Sequence, residues 1–306
     1  MRCSVLLAIV GLLAFGCGSK EAGKDDGGKL RVVSTVGMIA DAVKEVGGEE
    51  VESIGLMGPG IDPHLYRATA GDVEKLESAD VIFYGGLELE GRMTDIFVKM
   101  AGRGTPTHAV SERVPGAELR EPPEFHGKFD PHIWFDVLLW KHAVESIRDG
   151  LAKARPASTA KIGERADAYL KKLDDLHRYV QEQVARVPKE QRILITAHDA
   201  FGYFGKRYGF EVIGIQGTST ATEAGAGDLR RIADLITQKR VKAIFVESSV
   251  PPATIEALQK AVQSRGWNVA IGGELFSDAM GQAGTPEGTY IGMVRHNVDT
   301  IVGALL

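Results

Sequence analysis

The chain has 306 residues, 44% of them hydrophobic and 25% charged, with a formal net charge of −5. That length supports two cores of ordinary size or one large one, and that balance belongs to a soluble globular body rather than a membrane-spanning one. Mild acidity without a long run of like charge gives no reason to expect nucleic acid or an anionic surface as the main partner, whereas cations suit it.

The first stretch, "MRCSVLLAIVGLLAFGCGSK", has one basic residue, an apolar run from Val5 to Phe15 and small residues around Cys17. This is the layout of a secretory signal and is too short to span a bilayer, so residues 1–16 are expected to be a signal peptide and the body to be exported. The segment "AFGC" resembles a bacterial lipobox, whose cysteine becomes the lipidated first residue, with Phe15 in place of the usual small side chain. Cys17 is therefore the expected lipid anchor, and residues 17–29, continuing as "GSKEAGKDDGGK", a flexible linker that holds a domain off a membrane. With Cys3 and Cys17 the two cysteines of the chain, the folded body has no thiol for a disulfide or a thiolate metal site.

Short β-branched apolar runs then alternate with helical stretches. "LRVVSTV", "VESIGLM", "VIFYGG" and the shorter "THAV" lie in the first half; "RILITAHD", "FEVIGIQ", "KAIFVES" and "NVAIGGELF" lie in the second. Strands alternating with helices specify α/β lobes with parallel sheets, an N-terminal one over 30–156 and a C-terminal one over 188–306. Between them, over 157–187, Ile162, Ala166, Tyr169, Leu170, Leu173, Leu176, Val180 and Val184 recur at helical spacing with charges on the other face. The pattern starts just past Pro156, with Ser158 or Thr159 as cap, stops before Pro188, and spans roughly 45 Å at 1.5 Å per residue. One long helix is stiffer than a set of crossing strands, so the lobes are expected to move little relative to one another.

Asp-Pro-His is written twice, in "GIDPHLYRAT" at 60–69 and in "FDPHIWFD" at 129–136. A proline fixes its own φ and keeps the preceding residue extended, so each triplet presents its histidine, His64 or His132, stiffly in one direction. In parallel sheets ligands gather beyond the carboxyl ends of the strands. His64 follows "VESIGLM" by a Gly-Pro-Gly loop, His132 lies toward the close of the first lobe, His198 ends "ILITA", and Asp278 comes just after "NVAIGGELF". Three imidazoles and a carboxylate, two from each lobe, can thus face one cleft. They make a closed site for a borderline divalent cation such as zinc, with Zn–N near ~2.0–2.1 Å and no position left for water. Taken singly, each histidine is more often a hydrogen-bonded turn residue and Asp278 more often a cap; joint placement is what points to a metal. Glu247, at the end of "AIFV", fits a ligand, an acceptor behind an imidazole N–H, or an ion-pair partner, and with four ligands in hand the supporting role is favoured. Asp199, like Asp62 and Asp130, adjoins a ligand triplet and is a similar supporting candidate. His108, His126, His142, His177 and His296 have no such placement.

Together, "GIDPHLYRATAGDVEKLESADVIFYGGLELE", "DPHIWFD", "ITAHDAFGYFGKRYGFEVIGI", "VKAIFVE" and the C-terminal "ELFSDAMG" with "TYIGMVRHNVDTIVGAL" resemble the signature segments of the zinc- and manganese-binding solute-binding proteins of bacterial ABC importers, the cluster A-I family. The resemblance runs from about residue 30 to the end and includes the long helix. It implies two (β/α) lobes joined by a rigid helix and one cation held at positions that map onto His64, His132, His198 and Asp278. It also implies a monomeric, membrane-anchored receptor outside the cytoplasmic membrane that hands its cation to an ABC permease and its ATPase. The cation is then a transported ligand, with no catalytic cofactor. Manganese-specific members usually carry glutamate at the third ligand position, so His198 resembles the zinc-binding or mixed members, Zn²⁺ being favoured and Mn²⁺ the alternative. The loop "LREPPEFHGKFD", with a single histidine, is shorter than the His- and acid-rich loop of many zinc receptors, which argues against auxiliary zinc capture there.

Two rival readings remain at this stage. A zinc hydrolase also uses histidines and an acid, but needs an open coordination position and a base, for which Glu247 is the candidate. A surface adhesin would follow from lipidation and exposure. Nucleotide binding is weaker, since "GLMGPG" lacks the GxGxxG order.

Overall fold

The computed structural model describes residues 28–222 and 224–306. The expected signal segment, Cys17 and all but the last two residues of the linker lie outside them.

Four strands build the first lobe: β1 (Leu30–Ser34), β2 (Val51–Gly55), β3 (Val81–Tyr84) and β4 (Thr107–Ala109). They pair in parallel in the order β2-β1-β3-β4. Parallel pairing needs a crossover between successive strands. Helices α1 (Gly37–Gly47), α2 (Ala70–Glu77) and α3 (Thr94–Gly102) supply them, and α4 (Val137–Ala154) closes the lobe. Val32, Val33, Val81, Ile82 and Phe83 are wholly buried, as expected of central strands covered on both faces.

The linking helix α5 (Thr159–Ala185) runs 27 residues, about 40 Å at the helical rise. Seven of the eight apolar positions singled out by helical spacing are buried, and Leu170 is half-buried. Ser158 precedes the helix without capping it; its hydroxyl donates to Glu50 Oε2 at 2.7 Å, fastening the start of α5 to the first lobe. Beyond it come β5 (Ile193–His198), α6 (Gly202–Tyr208), β6 (Glu211–Gln216), α7 (Ala226–Lys239), β7 (Ala243–Glu247), α8 (Ala253–Gln263), β8 (Ala270–Leu275) and α9 (Tyr290–Leu305). The second lobe divides into two parallel pairs, β5 with β6 and β7 with β8, and β5 lies beside β7. All of β5 is buried, which seats its last residue, His198, in the interior.

The larger hydrophobic core does not respect the lobe boundary. It joins β1, β3, α1 and α4 through Leu173, Leu176 and Val180 of α5 to Leu194, Phe201, Tyr203, Phe245 and the buried face of α9. A smaller core lies under α7 and α8. The long helix is therefore packed along its length against both lobes, which gives the expected stiffness a physical cause in the close-packed interior. Among the described residues no helix is long and apolar enough to cross a membrane.

Leu173 is 0% exposed in this shared core. Leu173→Ala is expected to lower unfolding free energy by about 2–5 kcal/mol in urea titration, without changing the cooperativity of the transition.

Candidate metal centre

Each of the two Asp-Pro-His triplets forms the same device. Asp62 Oδ1 accepts the backbone N–H of His64 at 2.8 Å, and Asp130 Oδ1 accepts that of His132 at 2.9 Å. The aspartate thus closes a turn around the proline and fixes the direction of the histidine that follows. The His64 loop is fastened at its far end by the N-terminus of α2. There Thr69 and Asp72 form a reciprocal capping box, and the Tyr66 hydroxyl donates to Asp72 at 2.7 Å. His198 is placed by the end of β5, and Asp278 by the turn after β8, where Trp134 Nε1 donates to the Ser277 carbonyl at 3.0 Å.

These four residues meet in the interior. His132 and His198 are 0% exposed, Asp278 1% and His64 5%, and one ligand atom from each lies within 4.8 Å of the others. The Nε2 atom of His132 is 3.3 Å from that of His64 and 3.4 Å from that of His198; Asp278 places Oδ1 3.3 Å from His132 Nε2 and Oδ2 3.3 Å from His198 Nε2. Asp278 Oδ2 is 3.9 Å from His64 Nε2. Two atoms each ~2.0–2.1 Å from a tetrahedral zinc lie about 3.3 Å apart, which the 3.3–3.4 Å separations around His132 Nε2 match, while Asp278 Oδ2 stands farther from His64 Nε2 at 3.9 Å.

Carboxylates behind two of the rings orient them. His132 Nδ1 donates to Asp130 Oδ1 at 2.7 Å, and His198 Nδ1 donates to Glu247 Oε2 at 2.5 Å while Glu247 Oε1 takes the His198 backbone N–H at 2.9 Å. An ionised carboxylate only accepts, so in the neutral rings the proton sits on Nδ1 and the Nε2 lone pair points inward. Both oxygens of Asp278 lack a hydrogen-bond donor although the residue is buried. A buried carboxylate facing the inward lone pairs of His132 and His198, with the His64 ring beside them, is costly unless a cation lies between them. The residues present fit a divalent cation.

Residues 32–304 match the family described as zinc-uptake complex component A, periplasmic. The chain belongs to the zinc-uptake component A family. It is 52% identical over 305 residues to the zinc-binding protein TroA of Treponema pallidum, covering 99% of this chain and 97% of that protein. It is 45% identical over 306 residues to the manganese-binding lipoprotein MntA of Bacillus subtilis, covering 100% and 98%. The solved structure of the periplasmic zinc-binding protein TroA from Treponema pallidum superimposes with a TM-score of 0.88 at 54% identity, covering 91% of this chain and 99% of that one.

In this member of the zinc-uptake component A family, the site residues read from sequence separate into two groups. His64, His132, His198 and Asp278 converge, and Glu247 stands behind His198. Asp199 does not bond to an imidazole among the described residues; it faces the Arg120 guanidinium at 3.5 Å. Asp130, not Asp199, supports His132. Sequence reading missed Arg120, which also donates to Asp130 and so ties the support of His132 to the second lobe, and Tyr203, whose hydroxyl donates to the Asp130 carbonyl at 2.9 Å. No spacing rule marks a lone arginine in "LREPP" as the partner of an acid ten residues on and another from the opposite lobe.

Burial pulls His64 down to about 3. For His132, burial opposes the charge, but the hydrogen bond it donates to Asp130 and the neighbouring Asp130 and Asp278 carboxylates outweigh it and push the ring up to about 9. His198 is likewise raised, burial being overcome by Glu247 and Asp278. Asp278 is held well below the usual carboxylate range: burial works against its charge, and His198 and His132 prevail. Both upward shifts favour the protonated rings, so a bound cation must compete with protons at His132 and His198, and affinity falls on acidification. Titration calorimetry in buffers of different ionisation enthalpy is expected to register net proton release at neutral pH. Equal heats in all buffers would contradict it. Removing a supporting carboxylate, as in Asp130→Asn or Glu247→Gln, is expected to weaken zinc binding about 10–100-fold in competition with a chromophoric chelator.

Proposed function

We propose that the chain is the extracytoplasmic receptor of an ABC importer, capturing Zn²⁺ between its lobes at His64, His132, His198 and Asp278 and delivering it to a membrane permease driven by an ATPase. The observation that carries this reading is the set of four buried donors, two from each lobe, with one ligand atom of each within 4.8 Å of the others and several separations near the ~3.3 Å edge of a zinc tetrahedron. Three nitrogens and one oxygen suit zinc, and zinc outranks manganese at a site of this kind in the usual order of affinities, with Mn²⁺ as the lesser cargo. The relatives named above include a zinc-binding protein and a manganese-binding lipoprotein.

The site is arranged for holding rather than for catalysis. A hydrolase would need an open coordination position and a base beside it. Here the donors are buried, and Glu247 is engaged by the Nδ1 and backbone sides of His198, away from the inward Nε2. Cys17 is the proposed lipid anchor, with residues 1–16 removed as a signal and residues 18–29 as tether; mature protein from membranes is expected to show the mass of a diacylated N-terminal cysteine. The proposed lobes are 30–156 and 188–306, about the helix over 157–187.

After exhaustive chelation, the protein is expected to take up one zinc per chain by titration calorimetry. His198→Ala and Asp278→Ala should each lower that affinity by orders of magnitude while the cation-free protein stays folded by circular dichroism. Unchanged stoichiometry and affinity in either variant would refute the site.

A further inference from the structure

The four donors are not equally well held. His132 is secured to the second lobe from several directions. The Tyr203 hydroxyl donates to the Asp130 carbonyl, Arg120 bridges Asp130 and Asp199, and Trp134 Nε1 donates to the Ser277 carbonyl at 3.0 Å. Asp136, four residues on, caps α4 and accepts from Arg207 of α6 at 2.6 Å. His198 belongs to the buried strand β5 and is held through both its backbone N–H and its ring by Glu247.

His64 has much less. It is the most exposed of the four, and among the described residues no carboxylate reaches its Nδ1. Its direction depends on Asp62 Oδ1 and the proline between them. Across residues 58–66, one hydrogen bond is found to the second lobe among the described residues, apart from the contacts of the His64 ring itself. In it, the Thr220 hydroxyl, in the loop that follows β6, donates to Asp62 Oδ2 at 2.6 Å. The same stretch also comes close to the turn after β7, since a Cβ at Gly60, whose φ is +72°, would lie 3.4 Å from the Ser248 carbonyl. Thr220 is 7% exposed, so the hydroxyl is largely withdrawn from water, where a hydrogen bond to a carboxylate counts for more.

Asp62 therefore has two duties: one oxygen sets the backbone of His64 and the other joins the two lobes. We propose that the Thr220–Asp62 hydrogen bond is an interlobe latch, that Thr220 and Asp62 are positioning residues acting through His64, and that the His64 loop is the side of the cluster that yields when the cation leaves. The inference rests on the cation-receptor reading above. While the latch is closed, the loop presents His64 against His132 and Asp278. When the second-lobe loop moves away, Asp62 Oδ2 loses its donor, the turn at Asp62–Pro63 loses its outer support, and His64 can swing off the cation while His132, His198 and Asp278 still hold it.

The test compares wild type with Thr220→Val, which keeps the shape and removes the hydroxyl, and Thr220→Ser, which keeps the hydroxyl. Zinc-loaded protein is mixed in a stopped-flow instrument with excess chromophoric chelator to measure release, and association is measured separately. Loss of one hydrogen bond to a carboxylate predicts release about tenfold faster in Thr220→Val. Association and the melting temperature of the cation-free protein should match wild type, and Thr220→Ser should release at the wild-type rate. Release at the wild-type rate in Thr220→Val would overturn the latch, as would a lowered melting temperature without faster release, or failure of serine to restore the rate. The receptor reading is judged separately by wild type in the same experiment: failure of wild type to load one zinc would sink both, whereas a loaded wild type with an unaltered Thr220→Val rate would sink the latch alone.

Discussion

The structure depends on lone pairs turned toward one another. Three imidazole nitrogens and a carboxylate, all buried, face a common point at separations of 3.3–3.9 Å. Such an arrangement is unfavourable in an empty apolar interior and favourable around a positive centre. Protons on His132 and His198 relieve it in one state, and a divalent cation relieves it in another. The exchange between those states couples capture to the acidity of the surroundings.

Holding donors from two lobes at these separations requires a frame that does not drift. The frame is α5 and the core it shares with both lobes. Ile162, Leu173, Leu176 and Val180 are 0–1% exposed, and the same cluster includes residues of β1, β5, β7 and α9. A wide rotation of the lobes would tear this core, whereas a local shift of the loops carrying His64 or Thr220 would leave it intact. In the proposed receptor role, a stiff frame keeps the donors together and the less secured His64 loop offers the route of release.

Much of this was legible in the sequence because it rests on period and on position at strand ends. The eight strands fall within the apolar runs, and the α5 stripe follows the helical period, since burial of one helical face leaves a direct trace in residue order. His64, His132, His198 and Asp278 stood out because each lies beyond the carboxyl end of a strand or in a proline-stiffened turn. The supporting groups were harder. Asp62, Asp130 and Asp199 occupy equivalent places beside a histidine, yet the proline of Asp-Pro-His turns Asp62 and Asp130 back onto the histidine, while Asp199, after its histidine, turns to Arg120. Arg120, Tyr203 and Thr220 act across |i−j| separations of 79, 73 and 158, in Arg120–Asp199, Tyr203–Asp130 and Thr220–Asp62, and their partners are set by tertiary packing that local pattern does not encode. The division of the second lobe into two strand pairs was equally invisible, since four apolar runs read alike whether or not β5 hydrogen-bonds to β7.

X-ray absorption at the zinc edge of the loaded protein tests the central claim most directly, because it reports the donors themselves. The account predicts a first shell of three imidazole nitrogens and one carboxylate at about 2.0–2.1 Å, with outer scattering from three rings and no further light atom. A shell of five or six light atoms, or fewer than three imidazoles, would contradict it.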